Sequence, residues 1–137
     1  MSDIEDDRVV IALEGWARGA YDCEAAVMML TRSTMWRRFK NDLLAVKAIG
    51  IDEESSRGWM DRDALEAFAL DNGLSGGERR TLWLIATFLG IESSPPVSEL
   101  LSGVDTQNVE VFLQAAAHLA GWHERGESAV VTGRFGA

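Results

Sequence analysis

The sequence predicts an all-α fold, a single compact bundle or orthogonal array of five to six helices with a short irregular C-terminal tail. Three observations predict it: apolar residues recur at helical spacing, β-branched alternation is nearly absent, and the two prolines are adjacent at Pro95 and Pro96. A chain of 137 residues is long enough for one domain with its own core. We therefore expect a helical domain over residues 1–121 and a tail over residues 122–137, packed on the domain or on a partner.

The first half of the chain predicts three helices and a loop. The first helix is expected over residues 5–20, where apolar side chains recur on one face. Asp22 is the predicted N-cap of the second helix and Thr34 that of the third. Residues 50–58 are polar, acidic and bounded by glycines, which is typical of a loop.

The second half predicts further helices that begin at four polar N-caps: Asp61, Ser75, Ser98 and Asp105. The pair Asn72-Gly73 is expected to end the first of these helices, and Gly121 the last. The helix after Ser75 is apolar over most of its circumference, so we expect it to be central in the bundle. Within the tail, residues 129–132 could form a single short strand.

Residues 74–78, Leu-Ser-Gly-Gly-Glu, resemble the signature motif of the ABC-type ATPases, whose serine and glycines contact the terminal phosphate of the nucleotide. Residues 101–105 extend the resemblance to the stretch that follows the Walker B strand. The sequence has no Gly-x-x-x-x-Gly-Lys-Ser/Thr loop, and no apolar strand with paired carboxylates precedes residue 101. Ser75 and Glu78 instead fit an S-x-x-E capping box, so no nucleotide or other cofactor is predicted.

The net charge of −9 argues against general nucleic-acid binding, since phosphate contacts supply most non-specific affinity. Residues 31–50 differ from the rest of the chain in being positively charged, since they contain five basic residues and a single acidic one, Asp42. We expect this basic segment mainly to neutralise acidic surface of its own molecule. The single cysteine, the absence of a basic-then-apolar leader and the lack of an apolar run of ~20 residues predict a cytoplasmic protein and no membrane partner.

Residues that could carry catalysis or bind metal do not form a recognisable set. His118 and His123 are five residues apart across Gly121, so they do not share a helical face as i, i+4 zinc ligands do. The carboxylates around Asp61 lack the spacing of a calcium-binding EF-hand loop. Cys23 lies on an apolar stripe, which favours a small core residue over a nucleophile. We therefore predict neither a metal site nor an enzyme.

Residues 62–89 have the lengths of a helix-turn-helix, with Arg79 and Arg80 as the candidate DNA contacts. Two departures weaken this alternative. Arg79 occupies a position that should be buried in the motif, and the second helix is too apolar to lie exposed in a groove.

Five tryptophans are many for a chain of this length, and a small core seldom covers all of them. Trp59 and Trp122 are expected to be partly exposed, and exposed tryptophan is enriched at interfaces. The candidate interface residues are Trp59, Trp122, Trp36, Arg37 and Arg38.

The sequence thus predicts a small, non-enzymatic helical interaction or regulatory module that binds a protein partner or a second copy. The alternatives are a DNA-binding regulator and an acidic mimic of nucleic acid that acts on a basic partner.

Overall fold

The computed structural model of the protein describes residues 3–71 and 73–126. The structure is 68% helical, which confirms the all-α fold class. The α-helices of the described residues are α1 (Asp3–Ala17), α2 (Tyr21–Arg32), α3 (Thr34–Ala45), α4 (Arg62–Ala69), α5 (Gly76–Phe88), α6 (Val97–Leu100) and α7 (Thr106–Leu119). Two short 3-10 helices cover Leu101–Gly103 and Trp122–Arg125. Across the described ranges, none of the helices combines the length and the apolar character needed to cross a membrane.

Two helices share the centre of the core. The predicted central helix, α5, buries every residue from Thr81 to Ala86, and Phe88 as well. Helix α2 packs against α1, α3, α5 and α7, and buries five residues of its own. Two of these are the consecutive alanines Ala25 and Ala26, whose small side chains let neighbouring helices approach closely.

Three of the predicted N-caps are confirmed. The side chains of Asp61, Ser75 and Asp105 accept hydrogen bonds from backbone N–H groups in the first turns of α4, α5 and α7. The capping box is complete, because the Glu78 carboxylate also accepts the N–H of Ser75 at 2.9 Å. Each cap satisfies a donor that the start of a helix leaves without an intrahelical partner.

The other three predicted N-caps are wrong by one or two residues. Helix α2 begins after Ala20, and Asp22 lies inside its first turn. Helix α3 is capped by Ser33, whose hydroxyl accepts the N–H of Met35, whereas Thr34 is the first helical residue. Ser98 lies within the single turn α6, which follows Pro96. Ser33 and Thr34 have similar capping propensities, so the backbone geometry chooses between them, whereas the N-caps of α2 and α6 are Ala20 and Pro96, which make no side-chain capping bond.

The loop predicted over residues 50–58 is confirmed for residues 52–57, but its ends are wrong, because they belong to a small antiparallel hairpin. Strand β1 (Ile49–Ile51) pairs with β2 (Gly58–Met60), and Ile49 lies opposite Met60. The hairpin packs on α1 so closely that a Cβ on Gly58 would lie 2.5 Å from the backbone of Ala12. Strands of three residues with a glycine in each carry almost no periodic signal, which explains the error.

Part of the predicted tail lies outside the described residues. Residues 122–126 are described, whereas residues 127–137, with the predicted strand at 129–132, are not. Asn72, in the predicted helix end, also lies outside. Gly121 has a φ of +82° and ends α7 as predicted.

Candidate functional site

Of the three tryptophans predicted at the interface, one is exposed and two are half-buried. Trp122 is 36% exposed, and Leu119 one turn earlier is 41% exposed. Trp59 is half-buried, and its ring covers Gly50, where a Cβ would fall 2.1 Å from the ring. Trp36 is likewise half-buried and packs against the core. Trp122 is therefore the predicted interface tryptophan with the most accessible ring.

The arginines of the basic segment lie on the surface. Arg37 is exposed, and the Arg38 guanidinium forms an ion pair with Glu78 at 3.2 Å. Arg38 also lies over the ring of Phe39, 5.6 Å from its centroid. The ion pair with Glu78 agrees with the expectation that this segment neutralises carboxylates of its own molecule.

Arg79, the first candidate DNA contact, is bound internally. Its Nε donates to the carbonyl of Ala69 at 3.2 Å, and Nη2 donates to the carbonyl of Asp71 at 2.6 Å. Arg80 lies against Gly103, where a Cβ would meet its guanidinium. Arg80 is exposed, but α5 is buried along most of its length, which leaves few of its side chains able to reach a DNA groove.

The serine–glycine turn at the start of α5 is a structural feature. The side chains of Ser75 and Glu78 are engaged with each other's backbone N–H groups. Gly77 packs against the carbonyl of Gly103, which a Cβ would approach to 3.3 Å. Close packing against a neighbouring turn therefore explains the glycine at position 77 of the Leu-Ser-Gly-Gly-Glu segment.

An apolar groove lies between α1 and the hairpin, and sequence reasoning missed it. It has a volume of about 360 Å³ and is lined mainly by apolar atoms of Ile11, Ala12 and Ile51, with Asp7, Arg8 and Ser56 at its edge. Ile11 is 67% exposed, more than any other large hydrophobic side chain of the described residues. The sequence did contain one indication of this groove. Ile11 is an apolar residue that lies off the apolar stripe formed by Val9, Leu13 and Trp16 in α1.

Carboxylates outnumber guanidiniums around this groove. Arg8 crosses from α1 to the hairpin turn and binds Glu53 at 2.9 Å. The lining of the groove and the hairpin turn at residues 52–57 together carry four carboxylates and two guanidiniums: Asp7, Asp52, Glu53 and Glu54 against Arg8 and Arg57. The groove therefore has an apolar floor and a negative surround.

His118 and His123 form a cluster, although they were not expected to share a helical face. The left-handed conformation of Gly121 reverses the chain after α7, so that His123 returns over His118. The two imidazole rings stack with centroids 3.8 Å apart, and Tyr21 packs its edge against both. His118 Nε2 lies 2.9 Å from Oε1 of Glu24 on α2.

Hydrogen bonding favours the ionised form of Glu24 in this cluster. The bond from His118 lowers the pKa of the Glu24 carboxyl, an effect that burial opposes and the Gly19 N–H reinforces. Glu24 is therefore an ionised acceptor, and His118 donates from Nε2. Burial raises the pKa of the nearby Cys23 thiol, and Asp22 adds to that rise. A raised pKa disfavours the thiolate, which agrees with a packing role for Cys23.

The cluster adjoins a cavity of about 270 Å³, which Glu24 and His118 line together with residues of α1 and α2. One ligand atom from each of Glu24, His118 and His123 lies within 4.8 Å of the other two. Within residues 3–71 and 73–126, these three residues are the one group of histidine, cysteine and carboxylate side chains placed to share a metal ion.

The site has two distinct parts, the apolar groove on α1 and the histidine cluster between α2 and α7. Neither was visible in the sequence, since each depends on contacts between segments far apart in the chain. Comparison of the chain with protein-family models, with curated proteins and with solved structures gives no match.

Proposed function

We propose that this protein is a small, non-enzymatic interaction module of the cytoplasm that binds a basic protein segment through the groove between α1 and the hairpin. The observation that carries the proposal is the exposed Ile11 side chain on the floor of that groove. An isolated exposed aliphatic residue is ordinary, but one in a concave apolar setting can receive a partner side chain.

The charge around the groove favours a basic partner. Four carboxylates against two guanidiniums give a local excess of negative charge, and the whole chain carries −9. Complementary charge speeds encounter and excludes acidic competitors. The partner chemistry that fits is a segment with one or two aliphatic side chains for the groove and lysines or arginines around them.

A second copy of the chain fits the same groove less well. A two-fold interface brings the same surface of each copy together, so the two acidic surrounds would face each other. Like charges across an interface oppose association. The partner is therefore proposed to be a different protein. A nucleic-acid mimic would share this basic partner, but Arg8 and Arg57 interrupt its acidic face.

A defined peptide pair tests the proposal. A labelled amphipathic peptide of leucine and lysine should bind, and its leucine–glutamate counterpart should not. Amide resonances of Ile11, Ala12 and Ile51 should shift during the titration. Ile11→Asn should weaken binding about tenfold, which is about 1.4 kcal/mol and within the range for one buried aliphatic side chain.

Leu70→Asn is the matched control, because Leu70 is also exposed, at 60%, but lies at the end of α4. Equal binding of the two peptides, or an equal loss with both variants, would contradict the proposal. A concentration-dependent dimer that Ile11→Asn abolishes would assign the groove to a second copy instead.

A further inference from the structure

We propose that Glu24, His118 and His123 form a binding site for a divalent transition-metal ion of the zinc class. This inference is independent of the groove on α1. The three residues provide two imidazoles and one carboxylate, a set that holds Zn²⁺ in three-ligand sites. Imidazole nitrogen also favours zinc and its neighbours in the first row over Ca²⁺ and Mg²⁺, which prefer oxygen ligands.

The distances are close to those that one ion needs. Zinc bonds of about 2.0–2.1 Å in a tetrahedral site place neighbouring ligand atoms about 3.3 Å apart. His118 Nε2 and Glu24 Oε1 are already 2.9 Å apart, and all three ligand atoms lie within 4.8 Å of one another. An ion would take the place of the proton that now lies between His118 and Glu24.

His123 must rotate to complete the set. Its ring lies at 11° to that of His118, so the two rings are nearly parallel and their in-plane lone pairs do not converge. His123 is exposed, so its side chain can turn out of the stack without disturbing the core. Binding is therefore expected to separate the two stacked rings.

The backbone that carries the ligands is held firmly. Glu24 and His118 lie on α2 and α7, which pack against each other along the core. The left-handed Gly121 fixes the turn that returns His123 to this position, a conformation that other residues adopt only with strain. A preformed backbone limits the ordering required on metal binding to the rotation of the His123 side chain.

Three protein ligands leave at least one position of the ion open. The cavity of about 270 Å³ that Glu24 and His118 line provides room for a water molecule or a small ligand there. Arg18 and Arg32 line the same cavity. Their positive charge opposes the cation but favours an anionic group as its fourth ligand.

Metal titration of the tag-free full-length chain tests the site. After treatment with a chelator, Co²⁺ should bind one per chain, with the visible absorption of a low-symmetry site, and Zn²⁺ should displace it. The imidazole resonances of His118 and His123 should shift with the same midpoint. His123→Ala should weaken Co²⁺ binding by about 100-fold or more. Loss of a residue that only hydrogen-bonds to a metal ligand typically costs about 10- to 100-fold, and loss of a ligand should cost no less.

His123→Ala is the decisive variant, because His123 is exposed and its removal should leave the fold intact. Far-UV circular dichroism of the variant checks that the fold is retained. Glu14→Gln is the matched control, since Glu14 lines the same cavity without belonging to the ligand set. The proposal is overturned if the wild-type chain takes up no Co²⁺ at millimolar concentration. It is equally overturned if His123→Ala binds as tightly as the wild type.

Discussion

Two side chains decide where α5 begins. The Ser75 hydroxyl accepts the N–H of Glu78 at 3.2 Å, and the Glu78 carboxylate accepts the N–H of Ser75 at 2.9 Å. The Ser75 N–H is also the main reason that the pKa of Glu78 lies below its usual value, and Arg38 contributes to the same shift. The segment that resembles a nucleotide-binding signature is therefore occupied by its own capping bonds.

The capping box predicts a change in stability and in its pH dependence. Ser75→Ala should lower the free energy of unfolding by about 1 kcal/mol in urea titrations. Because the folded pKa of Glu78 is lowered, its contribution is present above the unfolded value near 4.5 and is lost as pH falls through the folded pKa. Glu78→Gln should remove that part of the acid-side loss.

Glu110→Gln serves as the control for this pH profile, because Glu110 is an exposed residue of α7. If Glu78→Gln and Glu110→Gln change the acid side of the profile equally, the capping carboxylate has no special role.

At the scale of elements, Arg79 joins the start of α5 to the end of α4. The last carbonyls of a helix lack intrahelical partners and carry partial negative charge, so a guanidinium bound to them is favourable. Arg79 binds the carbonyl of Ala69, the last residue of α4, in this way, and also the carbonyl of Asp71 just beyond the helix. The two bonds occupy Nε and Nη2 of its guanidinium.

Arg79→Ala should therefore lower the free energy of unfolding by about 1.5–3 kcal/mol, the range for hydrogen bonds that involve a charged group. Arg37→Ala, at an exposed position of α3, should stay within about 0.5 kcal/mol of the wild type. Thermal and urea unfolding measure both. A DNA-binding role would reverse this pattern, with stable variants that lose affinity for DNA in electrophoretic shift assays.

The sequence indicated these elements unevenly. Long apolar stripes and side-chain caps such as Asp105 located most helices correctly, since both signals are local. The hairpin at 49–60 was missed because its stability comes from packing on α1 rather than from its own residues. The groove at Ile11 was missed for the same reason, as the hairpin forms one of its walls.

At the scale of the whole molecule, Asn108 connects α7 to the start of α3. It is 2% exposed, and its Oδ1 accepts the N–H of Thr34 at 3.0 Å while Nδ2 donates to the Thr34 hydroxyl at 2.9 Å. These residues are 74 positions apart in the chain. The amide thus satisfies a helix start that lacks sufficient local partners of its own.

Asn108→Ala should lower the free energy of unfolding by about 2–3 kcal/mol, because it leaves a partly buried N–H without its acceptor. Gln107→Ala, one residue earlier and exposed, should have an effect within about 0.5 kcal/mol. Urea unfolding followed by tryptophan fluorescence measures both variants. An equal effect of the two substitutions would show that the link between α3 and α7 contributes nothing.

The sequence by itself determined the helical class, the capped starts of α4, α5 and α7, and the use of α5 as a central helix, because periodicity and capping act within a few residues. Only the tertiary structure decided that α2 shares the centre, that Ile11 lies in a groove, and that His123 returns to His118 and Glu24. These features depend on a left-handed turn at Gly121 and on packing between distant segments, whose energies no local pattern of residues encodes.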